Sequence, residues 1–215
     1  MLKQATPVFF RQLYHPHPAL RPFVESYCVL TPSRLGVGRV PWHIMPDGAA
    51  YVLLHIYRNG TDTSFHSRLA FVGPRSTYIF TNRKQRILSL IARLRPGIRF
   101  LPALHQLAEL QDQAVLLEDL TTHDLSVAQE EMTDLGASHQ IDALVQNFDV
   151  LILRLLDQQI KQNPLVCEAV QIIDETGGDA SIQCLSSQLG VSSRHLRSVF
   201  NKWVGLSPKR YARVV

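Results

Sequence analysis

Residues 180–215 read ASIQCLSSQLGVSSRHLRSVFNKWVGLSPKRYARVV and have the layout of a helix-turn-helix. Ser181 precedes apolar residues at helical spacing, so it is suited to cap a first helix. Gly190 supplies the permissive backbone that a tight turn requires, and Ser192 can cap a second helix. The stretch therefore predicts two short helices joined by a turn.

The second predicted helix has two chemically different faces. At about 100° per residue, an apolar face is formed by Leu196, Val199, Phe200 and Trp203. The opposite face carries residue types that hydrogen-bond to base edges or phosphates. The residues that we predict to contact DNA, on this face, beside it and in the following segment, are Ser193, Arg194, His195, Arg197, Ser198, Asn201, Lys202, Lys209 and Arg210. We expect Arg194 and Arg197 to read bases and the flanking cations to hold phosphates.

The formal net charge of +4 is unevenly distributed along the chain. Residues 1–100 hold fourteen Lys and Arg against three acids, residues 101–179 hold two against fifteen, and residues 180–215 hold six and no acid. A basic helical face alone is usually only solvated, but the lack of any acid in the last block, together with the two capped helices, favours DNA. For the basic N-terminal block we favour pairing with the acidic middle segment over an acidic effector or nucleic acid.

The same stretch is similar to the first helix-turn-helix of AraC-type transcriptional regulators. The signature positions that match are Gly190, Ser192, Arg194, Leu196, Phe200, Gly205, Ser207, Pro208 and Tyr211. Ser186 replaces the small alanine that is usual in the first helix, and Ser198 stands where many members have arginine. The resemblance implies that Arg194, Arg197 and Ser198 face the major groove.

AraC-type DNA-binding domains contain two helix-turn-helix units, whereas this sequence ends at Val215, within the expected link between them. From this we expect either a chain truncated before the second unit or one that uses a single reader per subunit. One helix-turn-helix makes few phosphate contacts, so its affinity should be weak and salt-dependent. We therefore expect a homodimer that supplies a second reader.

The first hundred residues have a sequence pattern typical of β structure. Short runs of β-branched, aromatic and other apolar residues are separated by Gly, Pro, Asn and Asp. These runs are residues 23–30, 49–57, 68–73, 76–82 and 86–94. The proline-dense start is expected to wrap the outside in extended form. The spacing predicts a small sandwich or barrel.

This N-terminal part also resembles a sensor-type domain that is fused to AraC-type regulators. The landmarks are Tyr14-x-Pro16, MPDG at 45–48, FVGP at 71–74, RPGIRF at 95–100 and EDL at 118–120. The resemblance implies a β-rich, cupin-like module but does not identify a ligand. From the residues alone, Asp47-Gly48 and Gly73-Pro74 are interpreted as turns.

After Arg99 helical periodicity takes over. A long helix is predicted from Gln140 to Lys161, with an apolar stripe of Ile141, Leu144, Val145, Phe148, Leu151, Ile152, Leu155 and Leu156. The stripe could form a dimerisation seam, but we favour an ordinary helix packed on its own domain. Pro164 is suited to begin the next helix, which Gly177 and Gly178 should end.

The predicted fold class is α+β, in three segments. The first is a β-rich, cupin-like barrel or sandwich at residues 1–118. An acidic helical connector at 119–163 and the helix-turn-helix at 164–215 follow.

Composition limits the remaining function classes. Hydrophobic residues make up 46% of the 215 residues and charged residues 19%, which suits a soluble globular protein. With no membrane-spanning run and no signal-peptide order at the N-terminus, we expect a cytoplasmic protein with no membrane partner. Cys28, Cys167 and Cys184 have neither zinc-finger nor disulfide spacing and are expected to be small buried side chains.

Catalysis has no positive signal, because the sequence holds no nucleophile motif and no phosphate-binding loop. His15 and His17 have the HxH spacing of metal-binding cupins, but each is followed by proline, so we expect no metal and no cofactor. We predict a sequence-specific DNA-binding regulator, not an enzyme, with a small-molecule effector at the N-terminal domain. The open alternatives are a cupin-like metal enzyme and a truncated interaction protein that dimerises without binding DNA.

Overall fold

An antiparallel sheet of six strands forms the N-terminal part of the molecule. The computed structural model describes residues 9–32, 39–44, 46–58, 63–77, 79–84, 86–99, 107–156 and 161–215. The strands are β1 (Phe9–Tyr14), β2 (Val24–Pro32), β3 (Arg39–Ile44), β4 (Tyr51–Arg58), β5 (Phe65–Val72), β6 (Ile79–Lys84), β7 (Arg86–Leu94), β8 (Ile98–Arg99), β9 (Ala114–Leu116) and β10 (Lys161–Gln162). The six-stranded sheet has the order β1-β2-β7-β4-β5-β9, while β3 pairs with β6 and β8 with β10 as two-stranded ribbons.

Six α-helices lie in the second half of the described chain. They are α1 (Ser126–Ala137), α2 (Ile141–Leu155), α3 (Pro164–Glu175), α4 (Ile182–Gln188), α5 (Ser193–Val204) and α6 (Pro208–Tyr211). Short 3-10 turns lie at Pro18–Leu20, Leu107–Leu110 and Leu117–Leu120. The sheet precedes the helices, which confirms the predicted α+β fold class.

All five predicted runs correspond to strands, namely β2, β4, β5, β6 and β7. The sequence does not single out β1, although it predicts an extended segment near the start. That segment pairs along its whole length with β2, from Phe9 opposite Pro32 to Tyr14 opposite Tyr27, and forms one edge of the sheet. Because this extended segment pairs with β2, it is a sixth strand of the sheet and does not merely cover the outside of the domain.

One face of the sheet is buried under α1 and α2. Val52, Leu54 and Ile56 alternate along β4 with half-buried residues, and all three are fully buried. They share a core with Phe148 and Leu151 of α2. Because strand side chains alternate between faces, the residues between them lie on the opposite face of the sheet, away from these helices. The sheet therefore has one helix-covered face and one face that the two helices leave open.

The helix α2 ends at Leu155, earlier than the predicted end at Lys161. Its apolar stripe stops at Leu156, so further helical turns would have no core surface to pack on. The buried part of the stripe belongs to the same core as the sheet. This is the packing expected of an ordinary helix on its own domain, the interpretation that we favour over a dimerisation seam. Residues 157–160 of the predicted helix lie outside the described residues.

A second core is built by α3, α4, α5 and α6. Helix α3 begins at Pro164, as predicted, and the Asn163 side chain accepts a hydrogen bond from the backbone N–H of Val166 at 3.2 Å. Ile173 of α3 packs with the apolar residues of the following helices. The predicted boundary after residue 118 falls between β9 and α1, within the first core, and the division into three segments stays a prediction.

The three cysteines are free thiols. Cys28 and Cys167 are half-buried, whereas Cys184 is exposed on α4, so the expectation of a buried side chain is wrong for that residue. Among the described residues, no helix combines the length and hydrophobicity needed to cross a membrane.

Replacing Phe148 with alanine should lower the free energy of unfolding by about 3–5 kcal/mol, because the ring of this α2 residue is fully buried against the sheet. Val150→Ala on the same helix should change it by less than about 0.5 kcal/mol, since Val150 is 46% exposed. Urea unfolding of both variants measures the difference. Loss of a dimer without loss of stability in Phe148→Ala would instead indicate that the α2 stripe is a subunit seam.

Candidate nucleic-acid interface

The helix-turn-helix begins at its predicted caps. The backbone N–H of Cys184 donates to Ser181 Oγ at 3.1 Å, and that of His195 donates to Ser192 Oγ at 3.1 Å. Both hydroxyls satisfy helix-terminal donors that have no partner within the helix. Gly190 lies in the turn between α4 and α5 with a φ of +64°. The predicted two-helix layout is confirmed.

The inner face of α5 packs into the second core. Leu196 and Phe200 are fully buried, and the Phe200 ring meets the Tyr211 ring edge-on at a centroid distance of 5.7 Å. Val199 and Trp203, predicted on the same face, are only partly buried at its border. Val204, one turn after Phe200, is buried instead. The apolar face is therefore rotated slightly toward Val204 relative to the prediction.

The outer face of α5 points away from both cores. The exposed residues that we predict to contact DNA are Arg194, His195, Arg197, Ser198, Asn201 and Lys202 on α5, and Lys209 and Arg210 on α6. No acid of the described chain forms a salt bridge with any of their cations. Within the described residues, the α5 members of this set form no side-chain hydrogen bond, so this face of α5 combines positive charge with free hydrogen-bonding groups.

Two of the predicted contact residues have partners inside the protein. Ser193 is half-buried, and its Oγ lies 2.9 Å from Ser186 Oγ, so this hydroxyl pair joins α4 to α5. Ser186 is itself 4% exposed, and its Oγ also donates to the Gln183 carbonyl. Arg210 Nη1 donates to Gln111 Oε1 at 3.2 Å, across to the N-terminal domain. Ser193 therefore serves helix packing, and Arg210 shares its guanidinium with the domain contact.

The helix-turn-helix rests on a surface of the N-terminal domain formed by Gly48, Pro74, Gly97, Arg99 and Leu107, which we call the docking platform. A Cβ atom on Gly48 would lie 2.6 Å from Cδ2 of the Tyr211 ring, so this close approach requires glycine. The Arg99 guanidinium lies over the Trp203 ring, 4.2 Å from its centroid. Backbone, aromatic and cationic contacts thus all connect the two cores.

A second close approach lies at the end of α5. Gly205 has a φ of +81° and ends the helix, and a Cβ atom there would lie 2.5 Å from Pro74 Cγ and 2.9 Å from the Leu107 carbonyl oxygen. A Cβ atom on Gly97 would lie 3.2 Å from Cys167 Sγ of α3. The platform thus contacts both α3, the first helix of the second core, and the end of α5.

Tyr211 is the centre of this contact. Its ring is 1% exposed, and its hydroxyl donates to Asp174 Oδ1 of α3 at 3.1 Å. Burial raises the pKa of the Tyr211 phenol above its ordinary range, and the Asp174 carboxylate raises it further. Burial likewise raises the pKa of Asp174, although the hydrogen bond from Tyr211 acts in the opposite direction. The hydroxyl therefore stays protonated as a hydrogen-bond donor.

Asp112 holds the platform loops in position. Its carboxylate accepts hydrogen bonds from the Ser76 backbone and hydroxyl, at 2.8 and 2.7 Å, and also from Thr77 and Gln111. Its backbone N–H donates to the Pro74 carbonyl, and its carbonyl accepts from Arg75 Nη1. Burial acts to raise the pKa of Asp112, but the hydrogen bonds outweigh burial and hold the pKa well below its ordinary range.

Sequence reasoning misses the platform because it treats its residues as local turns. Asp47-Gly48 and Gly73-Pro74 do lie in connections between strands, yet Gly48 and Pro74 also contact the second core. The available signal was the set of short motifs MPDG, FVGP and RPGIRF, which all contribute to one surface. Met45 and Phe100 of these motifs lie outside the described residues.

The two histidines of the HxH pair have different surroundings. His17 Nδ1 accepts from the backbone N–H of Ala19, and the His17 backbone N–H donates to Asp149 Oδ1. His15 lies at the rim of a cavity on the open face of the sheet. No group of three metal-ligating side chains is found within the described ranges.

The N-terminal sheet matches a known domain family. Residues 12–116 carry a DUF6597 domain, a domain of unknown function. The match runs from the second half of β1 to the end of β9, and so includes Gly48, Pro74 and Gly97 of the platform. Searches of curated proteins and of solved structures found no significant match to the chain.

Replacing Gly48 with alanine should destabilise the protein more than replacing Gly177 with alanine. Both glycines have positive φ, +70° and +57°, so both substitutions carry a similar backbone cost. Only the Gly48 substitution would also cause a steric clash with Tyr211, because nothing lies within 4 Å of a Cβ on Gly177. We expect Gly48→Ala to cost about 1–3 kcal/mol more in urea unfolding. Equal losses would contradict a tight contact between platform and helices.

Asp112→Asn should lower the free energy of unfolding at pH 7, because an amide cannot replace a carboxylate that accepts hydrogen bonds from several donors. We expect a loss of only about 1 kcal/mol, since solvent partly screens the site. Since the folded pKa is depressed, the stabilisation by Asp112 is complete above its unfolded pKa, about 3.9, and is lost as the pH falls toward the folded pKa. The gap between the two proteins should therefore narrow below about pH 4. Thermal unfolding from pH 7 to pH 3 measures it, and a constant gap would contradict the assignment.

Proposed function

We propose that the protein is a sequence-specific DNA-binding transcriptional regulator of the AraC type, in which α5 is the reading helix. The observation that carries the proposal is the exposed, acid-free outer face of α5, which stays open while the opposite face packs in the second core. The docked N-terminal domain contacts the end of α5 at Gly205 and Trp203, so it leaves the first turns of the helix accessible.

The spacing of the outer residues suits base recognition. Arg194, Arg197, Ser198 and Asn201 recur at intervals of three and four residues and therefore share one side of the helix. Helix α5 has 12 residues and is about 18 Å long, and the diameter of an α-helix with its side chains, about 10–12 Å, fits the B-DNA major groove, which is about 12 Å wide. Arginine can donate two hydrogen bonds to guanine, and asparagine can pair with adenine. Arg194 and Arg197 are our assigned base readers.

The remaining polar and basic residues fit contacts with the phosphate backbone. His195 and Lys202 flank the reading face, and Lys209 and Arg210 lie on α6. Phosphate contacts fix the orientation of a reading helix but carry no sequence information directly. Because Arg210 also bonds Gln111, we assign it to the rim of the DNA contact and Lys209 to a direct phosphate contact.

Regulation is assigned to the DUF6597 domain, which contacts the reading unit through the docking platform. A homodimer would provide the second reading helix that tight binding requires. We propose no catalytic activity for either part, and we keep the cytoplasm as the expected compartment.

The double variant Arg194→Ala/Arg197→Ala should lose affinity for genomic fragments selected by the wild-type protein by at least about tenfold, since each base contact contributes about 1–3 kcal/mol. The control is Arg58→Ala/Arg154→Ala, which removes the same charge from two exposed positions outside the second core. Fluorescence anisotropy with labelled fragments measures both.

Salt dependence separates phosphate contacts from base contacts. Lys209→Ala should weaken binding to all fragments alike and reduce the slope of log K against log salt by about 0.9. Binding that is independent of salt, or that survives loss of both Arg194 and Arg197, would refute the proposed function.

A further inference from the structure

The open face of the sheet carries an apolar row that the registers align. Cys28 on β2 lies opposite Ile91 on β7, and Ile91 lies opposite Leu53 on β4. Leu13 on β1 lies opposite Cys28 and extends the row to the sheet edge. Directly paired residues of antiparallel strands point to the same face, so these four side chains form one continuous strip.

A cavity of about 740 Å³ lies on this strip. All four residues of the row line it, together with Leu30, and none of the five is fully buried. Its volume falls within the range of about 300–1,000 Å³ that is typical of sites for small organic molecules. Leu13 is 62% exposed, so its side chain leaves the edge of the cavity open to solvent. The cavity is therefore large enough and apolar enough for the body of a small organic ligand.

Three charged residues of the cavity wall, Arg93, Glu25 and Asp47, pair with one another. Arg93 Nε donates to Asp47 Oδ2 at 3.0 Å, and Arg93 Nη1 pairs with Glu25 Oε2. Both acids belong to the N-terminal block, so this pairing does not use the acidic middle segment that the sequence analysis favours. Arg93 already has two carboxylate partners, which leaves little reason for a ligand anion to bind there.

Arg11 is different. Its guanidinium lines the cavity beside the Cys28 thiol, where burial raises the pKa of Cys28 and the nearby Arg11 charge acts in the opposite direction. Arg11 lies opposite Leu30 in the register, one row beyond the apolar strip. Within the described ranges it forms no ion pair with any acid. An uncompensated guanidinium beside apolar surface is suited to bind a carboxylate or sulfonate.

We propose that this cavity binds a small organic anion whose apolar body lies on the row of Leu13, Cys28, Ile91 and Leu53 and whose acidic group pairs with Arg11. We favour a small anion over a second copy of the chain because, of the two arginines on the described cavity wall, Arg93 is held by Glu25 and Asp47 whereas Arg11 has no carboxylate partner.

The site also lies one residue from the docking platform. Asp47 lines the cavity, and the next residue, Gly48, contacts the Tyr211 ring. The Gly48 backbone N–H donates to the Arg75 carbonyl, so the wall of the cavity and the platform are parts of one bonded loop. A bound anion can therefore act on the reading unit through Asp47 and Gly48, and this regulatory consequence rests on the proposed function.

The test uses two fluorescent probes with the same aromatic body. 8-Anilino-1-naphthalenesulfonate carries an anionic group, and N-phenyl-1-naphthylamine lacks it. We expect saturable binding of one sulfonate probe per chain, with Arg11→Gln weakening it by at least about tenfold and the neutral probe by less than about twofold. Arg11→Lys should retain most of the affinity. Arg58→Gln removes the same charge from an exposed residue that does not line the cavity, and it should change neither probe.

Three results would overturn the proposal. The first is equal binding of the two probes with no effect of Arg11→Gln, which would remove the anion preference. The second is probe binding that Leu13→Asp, a substitution at an exposed edge position, leaves unchanged. The third is a dimer, seen by sedimentation velocity, whose formation displaces the sulfonate probe, since a second copy would then occupy the face.

Failure of the ligand site and failure of the proposed function give different results. Arg11→Gln should bind the selected DNA fragments as tightly as the wild-type protein, because Arg11 lies outside the second core. The sulfonate probe should change the DNA affinity of the wild-type protein and not that of Arg11→Gln. Probe binding with no DNA binding would refute only the regulator, whereas DNA binding with no probe binding would refute only the site.

Discussion

The contact between the Gly48 backbone and the Tyr211 ring is the constraint on which the arrangement of the two cores depends. Tyr211 is buried with Phe200 in the second core and hydrogen-bonds Asp174, so its ring cannot move without disturbing three helices. Gly48 is fixed in turn by its hydrogen bond to Arg75. Because interiors are close-packed, two such immobile surfaces transmit displacement directly. Helix α5 and the sheet are therefore parts of one continuous packed structure.

The two faces of the sheet have different surroundings. Helices α1 and α2 cover one face and bury Val52, Leu54 and Ile56, which secures the fold. The other face keeps apolar side chains half-exposed around a cavity, at a cost in stability that further packing could remove. The ligand site that we propose on this face would account for that cost, because exposed apolar surface often has a binding role. The alternation of a single strand such as β4 is enough to create both surfaces.

Local signals predict much of this molecule, and long-range contacts explain the remainder. Ser181 and Ser192 act within three residues of their partners, so the caps and the helices after them can be recognised from the sequence. The same is true of Pro164 and of the strand runs. The early end of α2, the engagement of Ser193 by Ser186 and the role of Gly48 all depend on residues distant in sequence, and no local pattern specifies them. The charge blocks predict such contacts only in part, since Arg93 pairs within its own block whereas Arg75 interacts with Asp112 of the acidic segment.

The docking platform also separates two kinds of specificity. Gly205 and Trp203 fix the end of α5 against the sheet domain, so the direction of the helix axis is a property of the N-terminal domain. In a two-fold dimer of the proposed regulator, the distance between two operator half-sites would follow from that direction, whereas the bases within each half-site would follow from Arg194 and Arg197. Operator spacing and operator sequence would then be encoded in different parts of the chain and could evolve independently.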